Sequence, residues 1–204
     1  MSATDWRWLT PARLAIAALA MLLAGVAGLD LATRPPPMPD YAQVRRGWQP
    51  SEAWLYDRHG VLIDSSRVNF AARRLAWTPI ERIAPVTRAT IVAAEDKRFE
   101  AHGGVDWLAL GGAVRDRIER RPRGGASTLT MQLAAYLAPE LAAPGSRGWR
   151  DKLRQMRAAW SIEASWSKAQ ILEAYLNLAG FRGEAQGVSA AALGLFGKTP
   201  DALS

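Results

Sequence analysis

An uncharged run near the N-terminus constrains this chain more than any other feature of its sequence. The run Leu14–Leu29, between Arg13 and Asp30, is rich in the good helix formers alanine and leucine. A helix needs roughly 20 apolar residues to span the hydrocarbon of a bilayer. The run is somewhat shorter, but residues 31–33 lengthen it if Asp30 lies at the membrane interface. The sequence therefore predicts a transmembrane helix at the start of the chain.

The residues around this run predict its orientation. Aromatic and basic residues precede it: Trp6, Arg7, Trp8 and Arg13. Tryptophans are typical of the membrane interface and basic residues favour the cytoplasmic side, so we expect the N-terminus in the cytoplasm and the rest of the chain outside. The alternative is a cleaved signal peptide, because Gly25-Val26-Ala27 is a suitable small-residue cleavage site. The length of the run favours an anchor, and both alternatives stay open.

The composition excludes several kinds of chemistry. The 204 residues contain no cysteine and only two histidines, His59 and His102. Disulfide scaffolds, thiol catalysis and Cys/His zinc sites are therefore excluded. The net charge of +7 favours a partner that carries phosphate, or an anionic membrane. We expect no nucleic acid, because the basic residues follow a membrane segment and lack the aromatic-interleaved patterns of nucleic-acid recognition.

After the apolar run, the sequence predicts a spacer and then a mainly helical domain. The prolines of Arg34–Asp40 favour an extended conformation, which would hold the domain off the bilayer. Two short apolar runs, Trp54–Tyr56 and Val61–Ile63, flank a turn-forming tetrad and predict a β-hairpin with little other sheet. From about Thr78 onward the pattern is helical. Breaks are expected at Gly103-Gly104, at residues 122–125 and at Pro144-Gly145.

The first candidate for chemistry is the segment Glu95–Gly104, at the end of a predicted helix. Helical spacing groups Glu95, Phe99 and His102 on one side of this helix. A carboxylate beside an aromatic ring is partly desolvated, which suits a general base. Asp96 points about 100° away around the helix, and we expect it to bond local backbone. The alternative is a solvated, charged helix end without a chemical function.

The second candidate is the segment Gly124–Gln132, where glycines and hydroxyl residues lead into an apolar helix. Free amide groups at the positive end of a helix dipole favour an anion, and the hydroxyls of Ser127 and Thr128 add donors. The alternative is ordinary N-capping. An arginine-rich loop lies just upstream and contains Arg115, Arg117, Arg120, Arg121 and Arg123. Such a loop could close over an anionic ligand or lie on anionic lipid headgroups.

The third candidate is a helix from about Arg150 to Trp166, from which Lys152 could reach a phosphate site. The residues Ser167–Gln170 form a capping box that opens a further helix through Asn177. Its apolar stripe is predicted to be core and contains Ile171, Leu172, Tyr175 and Leu176. A last helix is expected over Val188–Phe196.

In this order, these segments resemble the glycosyltransferase family 51 domain of penicillin-binding proteins and peptidoglycan transglycosylases, over roughly Trp54–Ser204. The first family motif, E-D-x-x-F-x-x-H-x-G, is matched by Glu95, Asp96, Phe99, His102 and Gly104. The second, G-x-S-T-x-T-x-Q, is matched by Gly125, Ser127, Thr128, Thr130 and Gln132. The stretch Ser167–Asn177 is similar to the family's S-K-x-x-I-L-x-x-Y-L-N. Met131 and the stretch Asn177–Phe181 resemble the penicillin-binding protein 1C branch in particular.

The resemblance implies a fold and an activity. The fold would be mainly α, a lysozyme-like helical lobe with a short β-hairpin. The activity would be polymerisation of lipid II into β-1,4 glycan strands with inversion, by attack of the acceptor 4-hydroxyl on a polyprenyl-pyrophosphate donor. Glu95 would be the general base. The substrate-binding residues would be Asp96, Phe99, His102, Gly125, Ser127, Thr128, Gln132, Lys152, Arg154 and Gln155.

The resemblance also implies partners and a location. The partners would be lipid II, the growing glycan strand and the bacterial inner membrane, with other cell-wall synthesis proteins as further candidates. The catalytic domain would lie on the periplasmic side of a single-pass anchor. A divalent cation, Mg²⁺ or Mn²⁺, is left open as a cofactor.

The chain departs from the family at its third motif, R-K-x-x-E. The corresponding residues are Asp151-Lys152-Leu153-Arg154-Gln155, so an aspartate replaces the arginine and a glutamine replaces the glutamate. Arg150 or Arg154 could substitute for the arginine, whereas Gln155 cannot be a negative ligand. Glu163 is a candidate for a second acid, although a structural role is favoured. We expect activity, because the branch is expected to tolerate glutamine at this position.

Two other functions stay open at this point. The first is a non-catalytic, membrane-anchored module that binds lipid II without turnover. The second is a glycan-cleaving enzyme of lysozyme type, which would also use a glutamate. The anchor and the phosphate-suited second motif disfavour cleavage.

The chain is expected to contain three parts. Residues 1–33 would be a cytoplasmic tail and signal-anchor, residues 34–50 a Pro-rich spacer, and residues 51–204 the family 51 domain. The domain is expected to be incomplete at its C-terminus, because the family continues with further helices beyond the position of Ser204.

Overall fold

A computed structural model of the chain describes residues 10–121, 125–142 and 148–204. Within these ranges the fold is mainly helical with little sheet, as predicted. The α-helices are α1 (Pro11–Ala32), α2 (Tyr41–Gly47), α3 (Pro85–Glu95), α4 (Trp107–Ile118), α5 (Leu129–Leu137), α6 (Trp149–Glu163), α7 (Lys168–Leu178) and α8 (Val188–Phe196). The strands are β1 (Glu52–Tyr56), β2 (Leu62–Arg67), β3 (Arg73–Arg74) and β4 (Ala185–Gln186).

Some predictions fall outside the described residues. They concern the flanking residues Trp6, Arg7 and Trp8, the breaks at residues 122–124 and at Pro144-Gly145, and Arg123 with Gly124. The side chain of Arg117 is not described either.

Helix α1 is longer than the uncharged run because it extends at both ends. Thr10 caps its N-terminus, and Pro11 occupies the first turn, where a backbone N–H has no partner to lose. Asp30 lies inside the last turn of the helix. The 22 residues give a length of about 33 Å, sufficient for the roughly 30 Å of bilayer hydrocarbon. None of the residues of α1 is buried, so by length and composition it is a candidate membrane anchor.

The segment after α1 is only partly extended. Residues 34–40 have no regular structure, as the prolines predict, but Asp40 and Gln43 form a capping box that begins α2. Tyr41 and Val44 of α2 pack against the core, and the Tyr41 hydroxyl donates to Glu173. The capping box was not identified from the sequence, so this packing of the expected spacer against the domain was not predicted.

The hydrophobic core is built around α5, which packs against α6 and α7. Leu129 and Leu133 of α5 are fully buried, as are Ile162 of α6 and Leu176 of α7. Burial of each such side chain contributes roughly 1.5–3 kcal/mol. The whole stripe predicted on α7 is buried. The position of α5 is therefore fixed by packing along most of its length.

Two buried polar residues of α7 hold the segment that leads into α3. The Glu173 carboxylate accepts hydrogen bonds from Trp77 Nε1 at 2.6 Å and from the backbone N–H of Ile80 at 2.8 Å. Asn177 is bonded to both backbone groups of Thr78, at 2.8 and 2.9 Å. Because each buried group has partners, this polar network fixes the chain without an unsatisfied buried charge.

The predicted β-hairpin is present. β1 and β2 are antiparallel, and the turn between them is closed by Asp57, whose carboxylate accepts from the N–H groups of His59 and Val61, both at 2.8 Å. β3 and β4 form a parallel pair of two residues each. The predicted helices over Ile171–Asn177 and Val188–Phe196 are confirmed as α7 and α8.

Candidate active site

A cleft of about 500 Å³ opens beside the end of α3. Three segments line it: residues 94–98, the start of α4 with Asp106 and Ala109, and residues 125–128 before α5. The first two predicted segments therefore meet at one place, although they are distant in sequence.

Glu95 is the last residue of α3 and lines the cleft as an exposed side chain. Its carboxylate accepts a hydrogen bond from Gln132 Nε2 at 3.1 Å. The amide oxygen of Gln132 in turn accepts from the Tyr175 hydroxyl at 3.2 Å. A buried residue of the core thus orients an exposed carboxylate through one intermediate amide.

The predicted grouping of Glu95 with Phe99 and His102 was wrong. Helix α3 ends at Glu95, and Phe99 belongs to a separate 3₁₀ turn, so the helical spacing does not continue. Phe99 is 1% exposed and lies in the core. Glu95 is therefore exposed, where burial beside an aromatic ring was expected.

Two tyrosines near Glu95 are held in their protonated form. Burial raises the pKa of Tyr175, and the negative charge of Glu95 raises it further. The pKa of Tyr136 is raised by the same two causes. Tyr175 consequently stays a hydrogen-bond donor to Gln132 over the physiological pH range.

Asp96 is buried and joins the two motifs. Its carboxylate is bonded to His102 Nε2 at 2.9 and 3.0 Å and accepts from the backbone N–H of Leu129 at 3.0 Å. The expectation that Asp96 bonds local backbone was wrong, because Leu129 is the first residue of α5. Asp96 supplies a negative charge at the positive end of that helix. This contact could not be read from helical periodicity, since it links segments distant in sequence.

Gly104 and Thr128 form a second contact between the motifs. Thr128 caps α5 by accepting from Met131 N–H at 3.1 Å, and its hydroxyl donates to the carbonyl of Gly104 at 2.6 Å. Gly104 has a φ of +92°, and a Cβ there would lie 3.0 Å from the backbone of Ala159. Only glycine fits this position.

These contacts occupy two of the backbone N–H groups at the start of α5. The N–H groups of Leu129 and Met131 already have partners, in Asp96 and Thr128. These two N–H groups are therefore not available to an anion, and N-capping, the alternative for Thr128, is confirmed.

Ser127 is the hydroxyl that stays exposed beside the cleft. It accepts a hydrogen bond from Lys152 Nζ at 2.7 Å, so the third predicted segment reaches the second as expected. Lys152 is half-buried, and desolvation by burial lowers its pKa. Gly125 is also exposed and lines the cleft next to this pair.

Two cations line the cleft and were not identified from the sequence. Lys97 is exposed, and Arg98 donates from Nε to Asp106 at 2.9 Å. Burial alone would raise the pKa of Asp106, but the hydrogen bonds from Arg98 and from the N–H of Ala109 lower it below its ordinary value. The signal was present in the sequence, because both residues occupy variable positions of the first motif and both are basic.

Arg154 and Gln155 are not brought to the cleft. Gln155 Nε2 donates to the carbonyl of Leu141 at 2.6 Å, and Arg154 lies 4.0 Å from Asp151. Neither residue lines the cavity. Glu163 accepts from Thr130 at 2.7 Å and from Lys168 at 2.8 Å, which supports the structural role favoured for it.

Lys168 is a structural residue that sequence reasoning missed. Its ammonium donates to the carbonyl of His102 at 2.6 Å and to Glu163, and it lies 4.5 Å from the centre of the Phe99 ring. The end of the first motif is thereby fixed to the start of α7. The sequence indicated this residue only as part of a helix start.

The predicted arginine-rich loop is partly helical, because α4 continues to Ile118 and contains Arg115, and two of its arginines are paired. Arg115 and Arg121 lie 3.8 and 3.0 Å from Glu119. Across residues 10–121, 125–142 and 148–204, no three His, Asp or Glu side chains form a group that could hold a metal ion.

Comparison with known proteins gives the following matches. A family model described as transglycosylase matches residues 61–204. A biosynthetic peptidoglycan transglycosylase of Rhodospirillum centenum is 43% identical over 131 residues, which cover 63% of this chain and 54% of that protein. A biosynthetic peptidoglycan transglycosylase of Shewanella amazonensis is 33% identical over 199 residues, which cover 98% of this chain and 71% of that protein. Penicillin-binding protein 1A of Rickettsia prowazekii is 32% identical over 173 residues, which cover 82% and 21%.

The chain matches only part of most of these relatives. It spans about half the length of the Rhodospirillum centenum protein and about a fifth of the Rickettsia prowazekii protein.

Proposed function

Because this chain belongs to the transglycosylase family, we propose that it is a peptidoglycan glycosyltransferase that polymerises lipid II into β-1,4 glycan strands. One observation carries this proposal. The cleft is lined by the exposed carboxylate of Glu95, which Gln132 orients, and by the hydroxyl of Ser127, to which the ammonium of Lys152 is bonded. A base close to an anion-binding pair suits glycosyl transfer from a pyrophosphate donor.

Glu95 is the proposed general base. An alcohol is a poor nucleophile near neutral pH, so removal of the proton from the acceptor 4-hydroxyl promotes its attack on the anomeric carbon of the donor. The new bond joins that oxygen to the anomeric carbon as the bond to the pyrophosphate oxygen breaks. The electron pair leaves with the pyrophosphate, and the configuration inverts. The hydrogen bond from Gln132 engages one carboxylate oxygen of Glu95, so the other oxygen is available to the acceptor hydroxyl.

Ser127, Lys152 and Lys97 are the proposed partners of the pyrophosphate. Negative charge grows on the leaving group in the transition state, and fixed donors that meet it there lower the barrier. The half-buried position of Lys152 strengthens its electrostatic interaction with a phosphate relative to one in water. Gly125, beside Ser127, lets the loop backbone approach the same group.

The other predicted substrate-binding residues have positioning roles in this proposal. Asp96, Phe99, His102 and Thr128 hold the walls of the cleft, and Gln132 orients the base. Arg154 and Gln155, which do not line the cavity, would act through α6.

The location follows the same proposal. α1 would be a single-pass anchor in the bacterial inner membrane, with the lobe on the periplasmic side and the flanking charges as its orientation signal. The proposed parts are residues 1–33, residues 34–50 and residues 51–204. The sequence of Met131-Gln132 and of Asn177–Phe181 supports assignment to the penicillin-binding protein 1C branch.

A second function is favoured by one observation at the third motif. Gln155 is neutral and its amide is bonded to Leu141, so α6 offers no carboxylate where the family motif has one. A lobe without that acid could bind lipid II and not turn it over.

The test is to give labelled lipid II to purified wild-type, Glu95→Gln and Glu100→Gln proteins and to separate the glycan products. Glu100 is an exposed glutamate of the same segment and serves as the matched control. We expect polymer from the wild type and from Glu100→Gln, and a loss of at least about 100-fold in Glu95→Gln. Equal polymer from wild type and Glu95→Gln would refute the role of Glu95. Binding of lipid II by the wild type without polymer would establish the binding module instead.

A further inference from the structure

We infer that Arg157 holds the membrane helix α1 in a fixed position against the catalytic lobe, a set of contacts we call the lock. α1 would then set the height and tilt of the cleft relative to the bilayer and would not be a flexible linker. This inference rests on the proposed function for its consequence, although the lock itself does not depend on that function. Arg157 is a positioning residue here, since it acts through α1 and α6 and lines no part of the cleft.

Three contacts make the lock. Arg157 Nη1 donates to the backbone carbonyl of Asp30 at 3.0 Å and to the Thr33 hydroxyl oxygen at 2.8 Å. Arg157 Nη2 lies 2.6 Å from the Asp30 carboxylate. Thr33 is 3% exposed, so the end of α1 is covered by the lobe although the rest of the helix is not.

The chemistry at the end of α1 explains why an arginine is suited to this place. The last turn of a helix has carbonyl groups without intrahelical partners and a negative dipole end. α1 has no basic residue in its own last turn. Arg157 supplies the missing cation from another helix, and its planar guanidinium can meet a carbonyl, a hydroxyl and a carboxylate together.

An apolar groove lies beside the lock. Its cavity of about 270 Å³ is lined by Val26 and Leu29 of α1 and by Leu153, Met156 and Trp160 of α6. These side chains of α1 and α6 face the same apolar groove, and the ion pair of Arg157 and Asp30 lies at its end. Trp160 also lies 6.0 Å, ring centre to ring centre, from Trp107, and both rings are exposed. Such tryptophans are typical of a surface at the membrane interface.

Helix α6 connects this lock with the cleft. It contains Lys152, which reaches Ser127, and Arg157 five positions later, about 140° around the helix. One rigid helix thus contacts the anchor on one side and the cleft on another. The proline-rich segment after α1 does not separate the two, because the lobe already contacts α1 at Thr33.

The consequence concerns substrates that are themselves lipids. Their sugars lie at a fixed distance from the bilayer. A cleft held at the matching height is therefore already positioned to bind them, which lowers the entropic cost of orienting the enzyme. A flexible linker would leave this orientation to diffusion.

Spin labels can measure the lock in the full chain in bilayer nanodiscs. The chain has no cysteine, so Met21→Cys on α1 and Ala169→Cys on α7, both exposed positions, introduce the only labelling sites. We expect a narrow distance distribution that broadens at least about twofold with Arg157→Gln. Arg157→Lys should give an intermediate width, because a lysine keeps the positive charge but lacks the planar guanidinium that donates several hydrogen bonds at once. Arg46→Gln, an exposed arginine of α2, is the matched control and should leave the width unchanged.

Two results would overturn the lock: a wild-type distribution as broad as that of Arg157→Gln, or a narrow distribution that Arg157→Gln leaves unchanged. If Arg157→Gln does not fold, Asp30→Asn tests the same contact from α1, outside the core of the lobe. It should also broaden the distance distribution.

Activity gives the second measurement. Polymerisation of bilayer-embedded lipid II should fall about tenfold in Arg157→Gln, while a soluble short-chain analogue should be used within about twofold of wild type. Equal losses on both substrates would overturn the positioning role. A wild type without polymer would refute the proposed function, while the spin-label result would still decide the lock.

Discussion

The two motifs contain a buried framework and an exposed set of reactive groups, and the two differ in how they are bonded. In the framework, Asp96 has two partners and the Thr128 hydroxyl has two, all of them from the protein. Among the exposed groups, Glu95 and Ser127 each show one described side-chain partner. A motif residue whose hydrogen-bonding groups are all paired within the protein shapes the cleft. A motif residue that can still accept or donate a hydrogen bond can contact a substrate.

The neighbours Glu95 and Asp96 give the largest expected difference. Asp96→Ala should lower the free energy of unfolding by about 3 kcal/mol, because it leaves the buried His102 and the N–H of Leu129 without their acceptor. Glu95→Ala should change it by less than about 0.5 kcal/mol, as for most exposed positions. Urea unfolding of both variants measures this, and equal losses would abolish the distinction between framework and reactive groups.

Lys152, the half-buried partner of Ser127, tests the set of exposed groups. Under the proposed function, Lys152→Met should reduce polymerisation of lipid II about 100-fold, because it would remove a cation that meets the leaving group. Burial lowers the pKa of Lys152 below its ordinary 10.5, so the charged form disappears as pH rises through that lowered value. The alkaline limb of the wild-type rate should therefore lie below pH 10.5.

Lys152→Arg is the control for this pH dependence. It should retain activity and move the alkaline limb upward, because a guanidinium stays charged throughout. A limb at the same pH in wild type and Lys152→Arg would show that another group titrates.

Gly104 and Gly103 test the framework with a matched pair. Gly104→Ala should cost about 2 kcal/mol of unfolding free energy, because its Cβ would meet the backbone of Ala159 at 3.0 Å and φ is +92°. Gly103→Ala meets no atom within 4 Å and should change the value by less than about 0.5 kcal/mol. Thermal unfolding of both would settle it, and a tolerated Gly104→Ala would mean that α6 can move away.

Gln155 gives the smallest expected effect. Gln155→Glu would place a carboxylate against the carbonyl of Leu141 in place of a donor, so we expect a loss of about 1 kcal/mol. Gln155→Met, which removes the bond and adds no charge, should cost less. A stabilised Gln155→Glu that also polymerises faster would show that the side chain turns to the cleft.

The elements of this fold were predictable where a local signal exists. The Ser167–Gln170 capping box, the stripe on α7 and the turn at Asp57 each depend on residues a few positions apart, and all three are confirmed. α2 was not predicted although Asp40 and Gln43 form a capping box, because the prolines directly before Asp40 favour an extended chain.

The candidate site was predictable as a set of segments and not as a set of contacts. The roles of Asp96 and Lys168 depend on partners distant in sequence, Leu129 and His102, which periodicity does not indicate. The exposure of Glu95 depends on where α3 ends, and boundaries are the least certain part of a helix prediction.

The bond between Asp96 and the first N–H of α5 has a consequence for inhibitors. A carboxylate of the protein already occupies the place where an external phosphate would gain from the helix dipole. A pyrophosphate mimic would therefore obtain its affinity from Lys97 and Lys152, which are side chains and partly open to solvent. Its binding should weaken with added salt, chiefly through the exposed Lys97, because the distance over which exposed charges interact falls from about 10 Å at 0.1 M salt to about 3 Å at 1 M.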